Sequence, residues 1–241
     1  MQRAARHEIG PRFSGYSSGD YHANMYRLDL EEGYYLIDPS LALPEEEGLP
    51  LAIFLTHGHY DHLAALPDYI HRARLAGRRL SIYLAQEEQV YLEQSRYNLA
   101  DYFGQSWNLD LGELELKYYV PGQEQRLDEG WSFLPWHCPG HSLGSTCLLF
   151  CQAREPRLLV AGDMLFADSI GRTDLPGSNP EAMKRSLARL DQLLQSLPRA
   201  LPVVSGHGAD SQVGQQVETN PYLLWIRSAD TETGDSGEAG C

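Results

Sequence analysis

The sequence predicts an α/β chain in which two mixed β-sheets pack against each other with helices outside. Three observations carry this. Short β-favouring runs, a helix-like segment, more strands and a second helix follow one another along the chain, the order expected of layered sheets with covering helices. Turns rich in Gly, His and Asp fall at the ends of several of those strands, where an α/β architecture collects its functional groups. The chain has 241 residues, 42% hydrophobic and 22% charged, which suits one globular domain. We expect that domain over residues 1–226 and an acidic, disordered tail over 227–241.

Residues 1–23 are rich in Gly, Ser and Tyr and show no clear period. Residues 24–30 and 33–38 read as two strands joined by a turn at Glu31-Glu32-Gly33. A solvated loop containing Glu45-Glu46-Glu47 leads into a buried strand over 51–56. Leu63, Leu66, Ile70 and Ala73 then recur at helical spacing, with Gly77 as the stop. The pattern returns to a strand over 80–84, a helix-containing stretch over 87–103 and a strand over 113–120. Tyr91, Tyr97, Tyr102, Phe103 and Trp107 in that region are expected in core packing or on the inner surface of a lid, with a substrate wall as the alternative.

Residues 131–138, 145–151 and 157–161 supply three more strands. Asn179-Pro180-Glu181 opens a helix, with Asn as its cap and Pro in its first turn, and Met183, Leu187, Leu190 and Leu194 form its buried face. Residues 201–204 are the last clear strand, and Asn220-Pro221 starts a short closing helix.

A formal charge of −14 with scattered basic residues excludes a nucleic-acid groove. No run approaches the roughly 18 apolar residues of a membrane span, and the N-terminus lacks a secretory apolar core. Cys138, Cys147, Cys151 and Cys241 form no CxxC pair, so a disulfide scaffold is not expected and the compartment reads as the reducing cytoplasm.

The chemistry is concentrated in Thr56-His57-Gly58-His59-Tyr60-Asp61-His62. His57 and His59, two apart on an extended turn, can reach one cation, while Asp61 and His62 are offset enough to serve a second. Imidazole and carboxylate ligands suit zinc, iron or manganese, and the lack of thiolates argues against a closed structural zinc site. His141, Asp163 and His207 occupy later strand ends, each beside glycine. His22 and Asp38 are expected in hydrogen-bonded structural roles.

HxHxDH, an isolated His, Gly-Asp and Gly-His-Gly in this order resemble the metallo-β-lactamase superfamily, over residues about 20 to 225. The resemblance implies an αββα sandwich and two divalent metal ions, zinc first, with iron or manganese as alternatives. It implies that His57, His59 and His141 hold one metal, that Asp61, His62 and His207 hold the other, and that Asp163 bridges them. Two such cations about 3.5–4 Å apart activate a shared water for attack on a carbonyl, so Asp61 and Asp163 take the catalytic roles.

Gly162-Asp163-Met164-Leu165-Phe166, the run from Ser169 to Gly177 and Thr219-Asn220-Pro221-Tyr222 resemble the glyoxalase II-like branch, thioester hydrolases acting on hydroxyacylglutathione. The resemblance places Arg172 in substrate binding, with an ion pair to Asp174 or another carboxylate as its alternative role. The chain lacks that branch's C-terminal helical domain and so is similar to its single-domain relatives. Cys138 stands where many relatives carry Thr and reads as a small buried side chain. The expected substrate is a small-molecule thioester or related compound. The rival readings are a one-iron persulfide dioxygenase on the same scaffold and a lactonase or other ester hydrolase.

Overall fold

The computed structural model describes residues 5–17 and 23–234. In chain order the elements are β1 (Ala5–Gly10), β2 (Phe13–Ser17), β3 (Asn24–Leu30), β4 (Gly33–Ile37), β5 (Ala52–Phe54), α1 (Tyr60–Leu63), α2 (Leu66–Leu75), β6 (Leu80–Leu84), α3 (Gln89–Glu93), α4 (Ser95–Asn98) and β7 (Leu114–Tyr118). There follow β8 (Gln125–Arg126), β9 (Trp131–His137), β10 (Thr146–Gln152), β11 (Glu155–Gly162), α5 (Pro180–Ser196), β12 (Pro202–Ser205), β13 (Ser211–Gln212), α6 (Val213–Thr219) and α7 (Pro221–Gly234).

Both sheets are mixed. The first runs β1-β2-β3-β4-β5-β6-β7, antiparallel as far as β4 and parallel from β4 to β7. The second runs β13-β12-β11-β10-β9-β8, with β11 and β12 its parallel pair. Alternation along the strands builds three apolar layers. In β5, Ala52 and Phe54 face the space between the sheets, whereas Ile53 joins Leu66, Tyr69 and Ile70 of α2 on the other face. In β10, Leu148 and Phe150 point to the same inner layer, while Cys147 and Leu149 meet Leu187 and Leu190 of α5. Both faces of the central strands are covered, so they read as near-continuous apolar runs.

The inner layer is aromatic. Phe54 sits edge-on to Phe133 at 4.8 Å and to Phe150 at 5.8 Å between ring centroids. Such pairs contribute about 0.5–1.5 kcal/mol each beyond the area that they bury.

The helices covering the sandwich have legible causes. Buried Leu66, Tyr69, Ile70 and Ala73 give α2 one apolar stripe, and Gly77 ends it in left-handed backbone at φ 69°. In α5 the Asn179 side chain accepts a hydrogen bond from the Ala182 N–H at 2.9 Å, Pro180 stands in the first turn, and Met183, Leu187, Leu190 and Leu194 are buried.

Three features depart from the expectations. Part of the aperiodic stretch 1–23 forms β1 and β2, because pairing with β3 compensates for Ser14, Gly15 and Ser17, which dilute the apolar signal; His22 lies outside the described residues. The short helix α6 was not expected at all. The closing helix continues past residue 227, where the tail was expected to begin, as far as Gly234. The physical reason is anchoring: Leu223 and Ile226 are buried against the α5 layer, and Arg227 lies 3.1 Å from Asp191 and donates to the Val217 carbonyl at 2.6 Å. Residues 235–241 of the expected tail lie outside the described residues. Among the described residues, no helix is long and apolar enough to cross a membrane.

Candidate metal centre

The seven side chains singled out in the sequence as candidate metal ligands gather at one end of the sandwich, drawn from both sheets. The His57–His62 segment leaves β5 of the first sheet, and its anchor is Thr56. The Thr56 N–H and hydroxyl donate to the Asp38 carboxylate at 2.8 and 2.6 Å, and the Thr56 carbonyl accepts from the Thr146 N–H of β10 at 2.9 Å. His59 lies in extended backbone as the cap of α1, which places Asp61 and His62 in the first turn of that helix. His141 comes from the turn between β9 and β10, Asp163 follows β11, and His207 follows β12.

Three overlapping three-residue sets result, one of them Asp38, His57 and His62, behind the other two. His57, His59 and His141 bring their ligand atoms within 4.8 Å of one another, and so do Asp61, His62 and His207. In the first set His59 Nδ1 is 2.9 Å from His141 Nε2. In the second, His207 Nε2 is 3.0 Å from Asp61 Oδ2. Asp163 stands between them, with Oδ2 at 3.4 Å from His141 and 3.5 Å from His207, and Oδ1 at 3.3 Å from His62 Nε2.

The outward ring nitrogens are held by other groups. His141 Nδ1 is 2.9 Å from the Arg172 carbonyl, and His62 Nδ1 is 3.0 Å from Asp38 Oδ2. Each oxygen accepts an Nδ1–H, fixes the tautomer and leaves Nε2 pointing inward. Asp38 therefore has the hydrogen-bonded role that the sequence suggested.

Burial and neighbouring imidazoles depress the basicity of His57 well below its usual value and that of His59 to about 3, so both are neutral. For His62 and His207, burial pulls down but the facing carboxylates prevail, and both are raised. Asp163 is held well below the ordinary carboxylate range: burial opposes ionisation, and the imidazoles around it, His62 foremost, overcome that.

These residues fit a pair of metal ions. His57 Nε2, His62 Nε2 and Asp163 Oδ1 are buried without a hydrogen-bond partner, a costly state for polar atoms that a cation would relieve. The backbone also keeps clear of the site. A Cβ on Gly206 would collide with Asp163 Oδ1, and one on Gly171 would meet His141 Nδ1 at 2.8 Å.

Above the ligands opens a cavity of about 510 Å³. His59, Asp61, His141, Asp163 and His207 form its reactive part, and Leu99, Tyr102, Phe103, Phe166, Ile170 and Leu175 supply apolar wall. Arg172 also lines it, and its Nε and Nη2 each donate to the Asp174 carboxylate at 2.7 Å. The aromatic stretch divides accordingly. Tyr91 is fully buried and Trp107 packs on the core, whereas Tyr102 and Phe103 reach the cavity. Cys138 is buried in the α5 layer, its sulfur 3.9 Å from that of Cys147.

One residue behind the site went unnoticed in the sequence. Glu88 is fully buried and accepts from the Gly58 N–H at 2.7 Å, the Gly144 N–H at 2.5 Å and the Ser142 hydroxyl at 2.7 Å. It thus ties the His57–His59 turn to the His141 turn. Burial pushes its carboxyl up to about 7 against those three donors. Within Gln86-Glu87-Glu88 its neighbours are exposed, and a polar run of this kind carries no sign of which carboxylate turns inward.

The chain belongs to the metallo-beta-lactamase superfamily, which it matches over residues 18–207. It is 31% identical over 217 residues to the protein named Probable metallo-hydrolase YqgX of Bacillus subtilis, covering 85% of this chain and 94% of that protein. It is 29% identical over 202 residues to Hydroxyacylglutathione hydrolase GloC of Haemophilus influenzae, with 81% and 89% covered. Among solved structures it is similar to TTHA1623 in a di-iron-bound form, at a TM-score of 0.66 and 32% identity over 86% of this chain and 98% of that one.

Proposed function

We propose that this protein is a metal-dependent hydrolase that carries two divalent ions and cleaves a thioester. One observation carries the reading: two three-residue sets of imidazoles and carboxylates, with Asp163 facing both, form the floor of an open cavity. The names of the Bacillus and Haemophilus relatives support hydrolysis, and that of the latter supports a thioester in particular. A donor set of imidazoles and carboxylates suits zinc, with iron or manganese as alternatives; the di-iron form of TTHA1623 supports iron among them.

His57, His59 and His141 would hold one ion, Asp61, His62 and His207 the other, and Asp163 both. Ions bound there supply Lewis acidity and lower the pKa of bound water. The protein's own groups prepare that chemistry. Neutral His57 and His59 present lone pairs without first shedding a proton. Asp38 and the Arg172 carbonyl orient His62 and His141. Asp61 Oδ2, beside His207 on the cavity floor, is placed to accept the proton released as water attacks the carbonyl carbon. Phe166, its ring 6.0 Å from that of His207, keeps bulk water off this side.

The test is elemental analysis of protein purified without added metal, followed by a thioester panel. About two metal equivalents per chain with thioester hydrolysis is the expected result. One equivalent of iron, oxygen uptake with a persulfide and no thioester turnover would replace this reading with the dioxygenase one.

A further inference from the structure

The cavity wall and the backbone that carries it speak to which thioester is taken. Two segments outside the sheets furnish the apolar wall, Leu99 to Phe103 on the chain after α4 and Phe166 to Leu175 on the chain after β11. Leu99, Phe103, Phe166, Ile170 and Leu175 remain partly exposed there, and of these Ile170 also packs on the α5 layer. Apolar side chains left at the mouth of a reactive site gain their burial when a ligand arrives.

Leu99 strengthens the point from a different direction. Its backbone is left-handed, at φ 70° and ψ 12°, where glycine or asparagine would rest without penalty and a branched side chain does not. The turn is held in place by Asn98, whose amide donates to the Tyr91 carbonyl at 2.8 Å, and by the Tyr102 N–H donating to the Leu99 carbonyl at 2.9 Å. Strained backbone at a cavity wall is a mark of a functional side chain.

Charge narrows the choice further. Among the described lining residues Arg172 is the one basic side chain apart from the imidazoles. Its pairing with Asp174 is solvent-exposed, and such pairs exchange partners at little cost. One guanidinium can meet one anionic group. A glutathione thioester presents two carboxylates, an ammonium and, in the hydroxyacyl case, a polar acyl group.

We infer that the cavity is built for a thioester whose acyl group is a hydrocarbon chain and whose remainder carries no more than one anionic group. This rests on the thioester reading above. Hydrolysis breaks the C–S bond, forms a C–O bond to water and releases a carboxylate, a thiol and a proton.

The experiment compares kcat/KM of the metal-bearing protein on neutral N-acetylcysteamine thioesters, from acetyl to octanoyl, with S-lactoylglutathione. Each added methylene up to the filling of the cavity is expected to raise kcat/KM by about two- to fourfold, and lactoylglutathione is expected to fall below the butanoyl compound. Leu99→Gly relaxes the turn, so its Tm is expected to stay within a few degrees of the wild type while the octanoyl-to-acetyl ratio drops by about tenfold. A flat chain-length series with lactoylglutathione preferred would overturn the inference and leave thioester hydrolysis standing. An undiminished octanoyl-to-acetyl ratio in well-folded Leu99→Gly would also overturn it. No turnover of any thioester by protein carrying its metals would remove the thioester reading and this inference together.

Discussion

Replacing Glu88 by Gln should change how stability depends on pH, and in an unusual direction. Its carboxyl titrates near 7 in the folded protein because burial opposes its charge, against an ordinary value of 4.5. For an acid with a raised folded value, the folded state keeps its proton after the unfolded state has lost it. The stabilising contribution is therefore complete at low pH, declines as pH rises past 4.5 and levels off above 7. Integrated between pH 5 and pH 8, the loss comes to roughly 2–3 kcal/mol.

Glutamine does not titrate, so this slope disappears in the variant. Its amide can still accept from the Gly144 N–H and the Ser142 hydroxyl, but its NH₂ would face the Gly58 N–H, donor to donor, at a cost of about 1–3 kcal/mol that is independent of pH. The assay is urea unfolding of wild type and variant across that range, both with their metals. The stability difference should move in favour of the variant by roughly 2–3 kcal/mol from pH 5 to pH 8. Parallel profiles would refute the buried-charge argument.

Asp163→Ala should leave well under one metal equivalent per chain, because both sets lose a shared carboxylate; full metal content by elemental analysis would refute the bridging role. Arg172→Ala should raise KM for an anionic thioester more than for a neutral one, while Tm barely moves, since the pair with Asp174 is exposed. Equal changes in KM would leave Arg172 with Asp174 alone. Phe133→Ala should cost about 3–5 kcal/mol in urea unfolding, because Phe133 is fully buried and meets Phe54 edge-on between the sheets. Gly171→Ala should lower metal content, because the added Cβ would collide with the Asp163 carbonyl and would meet His141 Nδ1 at 2.8 Å.

The candidate metal ligands were legible because their pattern is local: His57, His59, Asp61 and His62 lie within one turn and the start of a helix, and glycine marks His141, Asp163 and His207 at strand ends. The helices α2 and α5 were legible through periodicity and caps, as were the central strands through their apolar runs. What escaped depends on partners distant in sequence. β2 is a strand because β3 lies beside it, and Arg227 continues a helix because Asp191 is within reach. Glu88 turns inward because donors from Gly58 and Gly144 meet there, 30 and 56 residues away along the chain. The cavity wall was half legible: Tyr102 and Phe103 stood out as aromatics, whereas Leu99, Ile170 and Leu175 look like any core aliphatic.

The ligands and the cavity wall occupy different parts of the chain. The candidate ligand groups sit directly after sheet strands, in the turn between β9 and β10 and in the first turn of α1, braced by Thr56, Asp38 and Glu88. Leu99–Phe103 and Phe166–Leu175 belong to connecting segments that contribute no ligand to either set. Exchange of the Leu99–Phe103 segment for one of different polarity would change the cavity wall alone, whereas Phe166–Leu175 also carries the Arg172 carbonyl that holds His141 and the Gly171 N–H that donates to the Asp163 carbonyl, so this second wall is part of the frame around the two sets.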